Sequence, residues 1–468
     1  MKIHLITTIT LTLAFFSACT VGPDYGGAPK VGHSSKFAGG KGGETIDKWW
    51  RKLGSRELNG LIDDALANNY DVAIAAQRLR EARAMRKQAA SAILPHANGN
   101  LGYSRQNPGS IAGAADLGPG FNLSDPIKYW NSGIDISWEV DVFGARRREA
   151  RGARAREQAA QEEMNGVRQA LTAEVAETYF TIAGLREQLA AVESQVSLQQ
   201  KQTDDTRSKA DAGASSQLDL DRSLARLETT RAEIPTLQAG ITTQVKRLAL
   251  LLGKRSDALD DKALSADSLP SKLPMARTGL PAELVLRRPD LRQSERELAA
   301  ATEDIGVATA NFYPKFSIGA TGPTSIGAQP ADLFNAGGYV WQFGPKVEWA
   351  LFKGGANRAA LEKANARQKA SLLTYEKYIL AAIGEVETEL ANLSAETQRL
   401  AIVQRARSAT ADAARRVREN HEAGAAPQVE VLIEEQALRE IEITEIRVKN
   451  QMLQVYIRLH KALGGGWR

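Results

Sequence analysis

Residues 211–220 read DAGASSQLDL and residues 422–432 read EAGAAPQVEVL, so nearly the same stretch occurs twice in one chain of 468 residues. In each copy a glycine is followed, four positions later, by a glutamine and then by an acidic, aliphatic segment typical of a helix start. The two glycines, Gly213 and Gly424, lie 211 positions apart. A repeat at such a distance predicts that the fold is built from two similar halves.

The repeat extends over most of the chain, with one change of spacing. The matching pairs are Asp71 with Asp290 and Pro95 with Pro314 at an offset of 219, and Trp138 with Trp349, Gly144 with Gly355 and Gly253 with Gly464 at an offset of 211. The length difference therefore falls in one connection, between Pro95 and Trp138 in the first half. We assign repeat 1 to residues 49–253, a polar linker to residues 254–279 and repeat 2 to residues 280–468.

A long helix is expected in each half. Residues 144–213 contain no proline, and their seam positions recur at alternating spacings of four and three, as in a coiled coil. Those positions are Leu171, Val175, Thr178, Ile182, Leu185, Leu189, Val192 and Val196. The same seam continues through residues 220–252, so we expect the return helix to pack antiparallel against the first. Pro235 should kink or divide this return helix, whereas Ile446 stands at the matching position of repeat 2.

Between the helices the apolar period changes to two, which predicts β-strands. The alternating residues are Ile134, Ile136, Trp138, Val140 and Val142 in the first half, and Tyr339, Trp341, Phe343, Val347, Trp349 and Leu351 in the second. Shorter partner strands near Leu101 and Phe316 give each half one β-hairpin, at about residues 97–142 and 315–351. A half-buried soluble sheet would alternate in the same way. Aromatic residues near the strand ends favour a membrane sheet, and three chains of four strands would supply about twelve strands for a barrel.

The N-terminus predicts an export signal over residues 1–18, with a basic Lys2, an apolar stretch and small residues before Cys19. The sequence FSAC at residues 16–19 resembles a bacterial lipobox, in which lipid is attached to the cysteine sulfur and cleavage makes that cysteine the new N-terminus. An ordinary secretory signal with an incidental cysteine is the alternative. Cys19 is the only cysteine, so a disulfide within one chain is excluded. Residues 19–48 would then form a lipidated N-terminal extension.

Several short motifs follow one another in a fixed order along the chain. They are CTVGPDY, DKWWRKL, ALANNYDVAIAAQRLREAR, WEVDVFGARR, LRRPDLRQSERELAAA, the two AG turns and LGGGW. Their order and spacing resemble the TolC-type outer-membrane efflux factors, in the NodT/OprM-like lipoprotein branch. The resemblance implies a mostly α fold with a small membrane β part. It implies a homotrimer in which long antiparallel coiled-coil helices form a tunnel and four strands per protomer form a shared 12-stranded β-barrel.

The same resemblance implies a location and partners. The protein would lie in the outer membrane, anchored through a diacylglycerol and an N-acyl chain at Cys19, and would extend into the periplasm. It would be the passive exit duct of a tripartite efflux system, receiving small molecules from an inner-membrane transporter through a periplasmic adaptor. The linker, residues 254–279, and the N-terminal extension would form or wrap an equatorial belt around the helices.

The resemblance also implies roles at the two turns. Gly213 and Gly424 would mark helical-hairpin tips that face the adaptor, and the segment after Gly424 would line the pore constriction. The residues at the constriction positions are Glu430 at the first acidic position, Glu434 beside the second, which is Ile433, and His421 in place of an aromatic residue. Three copies of Glu430 on a threefold axis would repel one another and attract cations. The alternative is that Glu430 only stabilises the first turn of its helix.

The sequence offers no catalytic constellation, so we expect no enzyme activity, no resident metal and no cofactor apart from the lipid. The five histidines are scattered, and no phosphate-binding glycine loop follows a strand. The net charge of +5 is spread along the helical stretches, so nucleic acid is not implied. Two alternatives remain open beside an efflux duct. They are a type I protein-secretion duct of the same fold and a structural envelope lipoprotein without a conducting pore.

Overall fold

The structure is a computed structural model that describes residues 20–28, 47–106, 126–260, 264, 269–270, 273–274, 287–327, 329–334 and 340–467. Residues 1–18, Cys19, which the sequence predicts to be lipidated, and most of the linker 254–279 lie outside the described residues. The described residues form long helices and one antiparallel sheet.

The helices of the two halves match in length. In the described part of the chain, repeat 1 holds α1 (Arg56–Asn68), α2 (Tyr70–Ser91), α3 (Ala145–Asp211), α4 (Gln217–Arg231) and α5 (Glu233–Leu251), and repeat 2 holds α6 (Pro289–Ala310), α7 (Ala356–Glu422) and α8 (Gln428–Ala462). Helices α2 and α6 have 22 residues each, and α3 and α7 have 67 each. The offsets of 219 and 211 hold at both ends of these pairs, which confirms two internal repeats.

The return helix of repeat 1 is divided, as the proline predicted. Helix α4 ends at Arg231 and α5 begins at Glu233, with Ala232 between them. Pro235 lies in the first turn of α5, where a missing backbone N–H leaves no helical hydrogen bond unmade. The matching α8 runs through Ile446 as one helix of 35 residues. The two halves therefore differ in the stiffness of their return helices.

The strands β1 (His96–Gln106), β2 (Ile127–Val140), β3 (Lys315–Gly327) and β4 (Val340–Glu348) form one sheet in the order β1-β2-β3-β4. Each neighbouring pair is antiparallel. Trp138 Nε1 donates to the carbonyl of Ile93 at 2.9 Å, and Trp349 Nε1 donates to that of Phe312 at 3.1 Å. These equivalent bonds tie the end of each hairpin to the residues that follow α2 and α6. Each half thus contributes one hairpin.

The strand register places most apolar side chains on one face and most polar side chains on the other. The exceptions are Ser132, Arg105 and Lys128, which share the apolar face, and Tyr129, which shares the polar face. One face carries Ala97, Leu101, Tyr103, Trp130, Ile134, Ile136, Trp138, Val140, Phe316, Ile318, Ala320, Phe343 and Val347. The other carries His96, Asn98, Asn100, Asn131, Asp135, Ser137, Glu139, Lys315, Ser317, Thr321, Gln342, Lys346 and Glu348. Leu101 is 69% exposed and Phe343 66%, so the described residues leave much of the apolar face uncovered. A face of this kind suits lipid, as in transmembrane β-sheets.

Aromatic side chains gather at both ends of the sheet. Tyr103 and Trp130 lie opposite each other, with ring centroids 5.1 Å apart. At the other end Phe143 stacks on Tyr313 at 4.5 Å and lies 6.4 Å from Phe316. Two aromatic bands of this kind mark the interfaces on either side of a bilayer.

The described residues fall into two compact units, and each takes segments from both repeats. The unit with the sheet comprises the described parts of Met1–Pro29, Arg80–Gln158 and Glu295–Thr374, and the second comprises those of Lys30–Leu79, Ala159–Ser294 and Tyr375–Arg468.

The second unit holds the largest core, which includes Trp49, Leu58, Ile62, Val175, Phe180, Ile182, Leu248, Leu252, Tyr375, Tyr456 and Leu459. The predicted seam is confirmed at Val175, Ile182 and Val192, all at most 1% exposed. No described helix is both long and apolar enough to cross a membrane.

A histidine lies inside this core without a polar partner. His460 is 5% exposed, stacks on Trp49 at 5.4 Å and meets the edge of Tyr456 at 4.4 Å. Neither ring nitrogen has a hydrogen-bond partner among the described residues. Burial, helped by the charge of Lys52, lowers the pKa of His460 from its ordinary value of 6.5 to about 3. The core therefore holds this imidazole neutral.

We predict that His460 makes the protein sensitive to acid. Below pH 6.5 the imidazole of His460 takes up a proton in the unfolded chain, but in the folded chain it stays neutral until the pH approaches 3. The free energy of unfolding therefore falls as the pH falls from 6.5 toward 3. The loss is about 1.4 kcal/mol per pH unit, or roughly 2 kcal/mol between pH 6.5 and pH 5. His460→Phe should remove this part of the pH dependence in denaturant unfolding. The variant His96→Gln, at an exposed position, is the control, and equal slopes for the parent and His460→Phe would contradict the prediction.

Candidate functional site

Both helical tips end a 67-residue helix with the same turn. Gly213 has a φ of 73° and Gly424 a φ of 75°, a left-handed conformation that favours glycine. The N–H of Ala214 donates to the carbonyl of Lys209 at 2.8 Å, and that of Ala425 donates to the carbonyl of Asn420 at 2.8 Å. A Cβ on either glycine would meet open space, so the backbone angle alone requires glycine there.

We name the turn at Gly213 tip 1 and the turn at Gly424 tip 2. The two tips differ where the return helix begins. In tip 1, Ser216 Oγ accepts the Asp219 N–H at 3.1 Å and donates to Asp219 Oδ2 at 2.6 Å. Tip 2 has Pro427 at the helix start, which makes no side-chain cap. Glu430 stands at the position of Asp219, but its exposed carboxylate has no hydrogen bond or ion pair with a described residue. The structure therefore leaves the Glu430 charge free in the first turn of α8.

The other predicted constriction residues have different surroundings. Glu434 follows Glu430 by one turn of α8 and is half-buried, so the two carboxylates lie on one face of the helix. His421 is half-buried, and its Nδ1–H donates to the carbonyl of Ala426 at 2.8 Å. This hydrogen bond connects the last turn of α7 to the backbone of tip 2. The structure brings the two glutamates together and gives His421 a local structural contact.

A third carboxylate near tip 2 escaped the sequence analysis. Glu435 Oε1 accepts from Arg418 on α7 at 2.5 Å, and its Oε2 accepts from Gln202 on α3 at 2.7 Å. Glu435 is 18% exposed and Arg418 55%, so solvent screens this pair only in part. One side chain therefore joins α8 both to its own hairpin partner and to the hairpin of repeat 1. In the sequence Arg418 lies six residues before Gly424 and Glu435 eleven residues after it, so no simple spacing marked them as partners.

A second set of charges joins α7 and α8 farther from the turn. Arg407 lies 3.2 Å from a carboxylate oxygen of Glu442 and 3.4 Å from one of Glu445. Burial opposes the ionisation of Glu445, but hydrogen bonds from Lys449 and Gln404 and the charge of Arg407 outweigh burial and lower its pKa. These contacts stabilise the hairpin of repeat 2 along its length.

A groove of about 360 Å³ lies between the two tips. It is lined by Thr206, Lys209, Ala214, Ser215, Asp219, Arg222, Ser223, Arg226, Pro427, Val429 and Leu432. Arg222 and Arg226 are one turn apart on α4, and neither forms an ion pair with a described residue. Asp219 is the single acid in this lining, so the groove is positively charged with an apolar wall from Val429 and Leu432.

The sequence and the fold are similar to those of known outer-membrane proteins. A profile of the outer membrane efflux protein family matches residues 61–254 and 280–465. The pyoverdine export outer membrane protein OpmQ of Pseudomonas aeruginosa is 30% identical over 432 residues, which cover 92% of this chain and 90% of OpmQ. The cation efflux system protein CusC of Escherichia coli is 29% identical over 461 residues, covering 96% of this chain and 97% of CusC. The solved structure of the outer-membrane channel OprN, 28% identical, superposes with a TM-score of 0.82 over 96% of this chain and 100% of that chain.

We predict that Glu435→Gln loosens the start of α8, because glutamine cannot form the ion pair with Arg418. A loss of about 1 kcal/mol should speed amide hydrogen exchange in residues 428–436 about fivefold. Glu419→Gln is the matched control, since its carboxylate lies 4.0 Å from Arg415 and both side chains are well exposed. Equal exchange rates in the two variants would show that the Glu435 contacts do not hold this segment.

Proposed function

Because this chain belongs to the outer membrane efflux protein family, we propose that it forms the passive exit duct of a tripartite efflux system. The observation that carries this proposal is the sheet, with one apolar, largely uncovered face and one polar face. Lipid would cover the apolar face, and the polar face would line water. The outer edges of β1 and β4 have no partner strand among the described residues. Pairing β4 of one copy with β1 of the next closes twelve strands from three copies.

Trimers of this family work with a periplasmic adaptor and an inner-membrane transporter. The names of OpmQ and CusC give pyoverdine and cations as their exported solutes. We therefore assign small solutes as the cargo of this chain, and we place it in the outer membrane with its helices in the periplasm. The lipobox resemblance supports a lipid anchor at Cys19, and so does the printed name of a relative from Salmonella typhimurium that is 28% identical, "Probable outer membrane lipoprotein SilC".

The tip of repeat 2 is the proposed gate. Three copies would bring Glu430 and Glu434 into a ring of carboxylates that attracts cations and repels anions. The free carboxylate of Glu430 supports this role, because its counterpart Asp219 is held by Ser216 and Glu430 is not. Glu435, bonded to Arg418 and Gln202, would hold α8 against α3 while the gate is closed. Opening would break these two contacts together.

The groove between the tips is the proposed docking surface for the adaptor. Arg222 and Arg226, which pair with no acid among the described residues, and the apolar wall fit a helical tip that carries acids beside leucines. Gly213 and Gly424 shape the groove, since each ends the helix that precedes it. The adaptor would therefore bind next to Glu430 and could shift the start of α8.

We predict stepwise, cation-selective conductance when the full chain is reconstituted in a planar bilayer. Glu430→Gln combined with Glu434→Gln should abolish the preference for cations, because the carboxylate ring is gone. Asp219→Asn, at the matching position of tip 1, is the control and should keep the preference. A parent protein and a Glu435→Gln variant that both lack conductance steps would contradict the duct.

We predict that reversing the charge of the groove weakens adaptor binding. Arg222→Glu with Arg226→Glu should lower the affinity at least about tenfold at low salt, with a smaller effect at high salt. Arg231→Glu is the control on the same helix, because Arg231 pairs with Glu228 and does not line the groove. The affinities of the parent, the groove variant and the control variant are measured by surface binding of the purified adaptor. Equal losses for the groove and control variants would place the adaptor elsewhere.

A further inference from the structure

The two halves leave the sheet through matching segments that carry different residues. Residues 140–144 read VDVFG and residues 351–355 read LFKGG, 211 positions later. Phe352 therefore stands at the position of Asp141, and Lys353 at that of Val142. We name residues 140–147 junction 1 and residues 351–358 junction 2. The first junction shows what the second one lacks.

An acid closes junction 1. The carboxylate of Asp141 accepts the backbone N–H of Arg146 at 3.0 Å and that of Arg147 at 2.8 Å. Its Oδ2 also accepts from Arg147 Nε at 3.2 Å, and the Asp141 side chain is only 9% exposed. The charge of Arg147 is therefore neutralised inside junction 1, and no large apolar side chain takes the place of this acid.

Junction 2 has no such acid. Phe352 is 89% exposed and Leu351 is 78% exposed, the two highest values among the large apolar side chains of the described residues. Arg358 stands at the position of Arg147. Arg358 and Lys353 are exposed, and neither forms an ion pair with a described residue. Junction 2 thus joins two uncovered apolar side chains to two cations without acidic partners.

The same contrast continues into the two long helices. Five of the six arginines of residues 146–156 at the start of α3 have acidic partners, namely Arg146 with Glu139 and Glu149, Arg147 with Asp141, Arg148 with Asp24 and Glu303, Arg151 with Glu303, and Arg156 with Asp304. Residues 353–369 hold five cations and a single acid, Glu362. None of those five, Lys353, Arg358, Lys363, Arg367 and Lys369, pairs with a described acid. The start of α7 therefore carries uncompensated positive charge.

Junction 2 lies at the membrane boundary of the sheet. It follows the end of β4, on the side where Phe143 stacks on Tyr313. The polar layer on each side of a bilayer is about 5–8 Å thick. Arg358 lies about 3 Å and Lys363 about 10 Å along the axis from the start of α7. Their long side chains therefore reach the phosphate groups of the leaflet next to the helices, which is the periplasmic leaflet.

A neighbouring copy of the chain does not supply the missing negative charge. When β4 of one copy pairs with β1 of the next, the residues after β4 come beside the residues that precede β1. The end of α2, residues 80–91, holds four cations, Arg80, Arg83, Arg86 and Lys87, and one acid, Glu81. Glu157 pairs with Arg83 and Arg86, which leaves this surface positive. Like charges repel, so the charge of junction 2 favours an anionic ligand over the next copy.

We propose that junction 2 is a binding site for anionic phospholipids of the periplasmic leaflet. This inference rests on the proposed duct, because only the sheet of an inserted trimer brings junction 2 to the membrane surface. Leu351 and Phe352 enter the boundary between headgroups and acyl chains. Lys353 and Arg358 bind phosphate oxygens, and the planar guanidinium of Arg358 donates two N–H groups to one phosphate. Junction 1 binds no such lipid, because Asp141 already occupies its arginine.

The preference for charged lipid tests the two cations. The full chain is reconstituted in phosphatidylcholine vesicles, and spin-labelled phosphatidylglycerol is compared with spin-labelled phosphatidylcholine. We expect the protein to immobilise phosphatidylglycerol with at least about a twofold preference at low salt, and less at high salt. Lys353→Gln with Arg358→Gln should remove most of this preference.

The matched control is Arg367→Gln with Lys369→Gln, which removes the same charge from the same helix. These residues lie about 17 and 20 Å along the axis from the start of α7, beyond the headgroup layer, so the preference should remain. Equal preferences in the parent and the Lys353/Arg358 variant, or equal losses in that variant and the control, would overturn the proposal.

A photo-cross-link identifies what covers Phe352. The variant Phe352→p-benzoylphenylalanine, irradiated in vesicles that contain phosphatidylglycerol, should gain the mass of one phospholipid per chain. Tyr378→p-benzoylphenylalanine is the control on α7, about 33 Å along the axis from its start, and should gain none. A cross-link from residue 352 to a second copy of the chain, without a lipid adduct, would overturn the proposal.

Conductance separates this site from the duct. The Lys353/Arg358 variant should keep the conductance steps of the parent, because both residues lie outside the proposed gate. Conductance without a lipid preference would overturn the lipid site and leave the duct standing. A lipid preference and a lipid adduct without conductance would contradict the duct alone.

Discussion

The constraint on which the rest of the structure depends is the uncovered apolar face of a four-stranded sheet. Phe343 and Leu101 cannot remain exposed to water on a stable sheet whose two outer strands have no partner strand in the described part of the chain. Lipid covers the apolar face, and strands of further copies of the chain pair with the two edge strands. Membrane insertion and trimer assembly are therefore requirements of the same sheet. Because the sheet makes the contacts with the membrane, the long helices need no apolar outer surface.

The duplication supplies two similar helical hairpins, and small differences between them agree with the separate roles that we propose for their tips. Ser216 holds Asp219 in tip 1, whereas Pro427 cannot hold Glu430 in tip 2. Pro235 divides only the return helix of repeat 1. A repeat of this kind keeps the packing of both halves while single substitutions free one charge or weaken one helix. The proposed gate and the proposed docking surface therefore depend on differences between two otherwise similar hairpins.

Buried polar contacts give the apolar seams their register. Glu435 joins three helices through Arg418 and Gln202, and Arg148 joins residues 22–24 to α3 and α6. A coiled-coil seam alone tolerates a shift by one heptad, because each layer of aliphatic residues resembles the next. A charged group with several fixed partners does not tolerate such a shift. These residues therefore specify which positions meet.

The sequence by itself determined the elements and their order. Gly213 and Gly424 marked the helix ends, Pro235 marked the break, and the alternation around Trp138 marked a strand, because local periodicity and backbone preference act within a few residues. It also determined which acid follows each turn, Asp219 in the first repeat and Glu430 in the second. Only the tertiary structure decided which side chains meet. Arg148 reaches Asp24 and Glu303, and Glu435 reaches Gln202, across more than a hundred residues, and no local pattern encodes such distances. Contacts between distant segments depend on the rotation and register of packed helices, which are fixed only when the whole chain is folded.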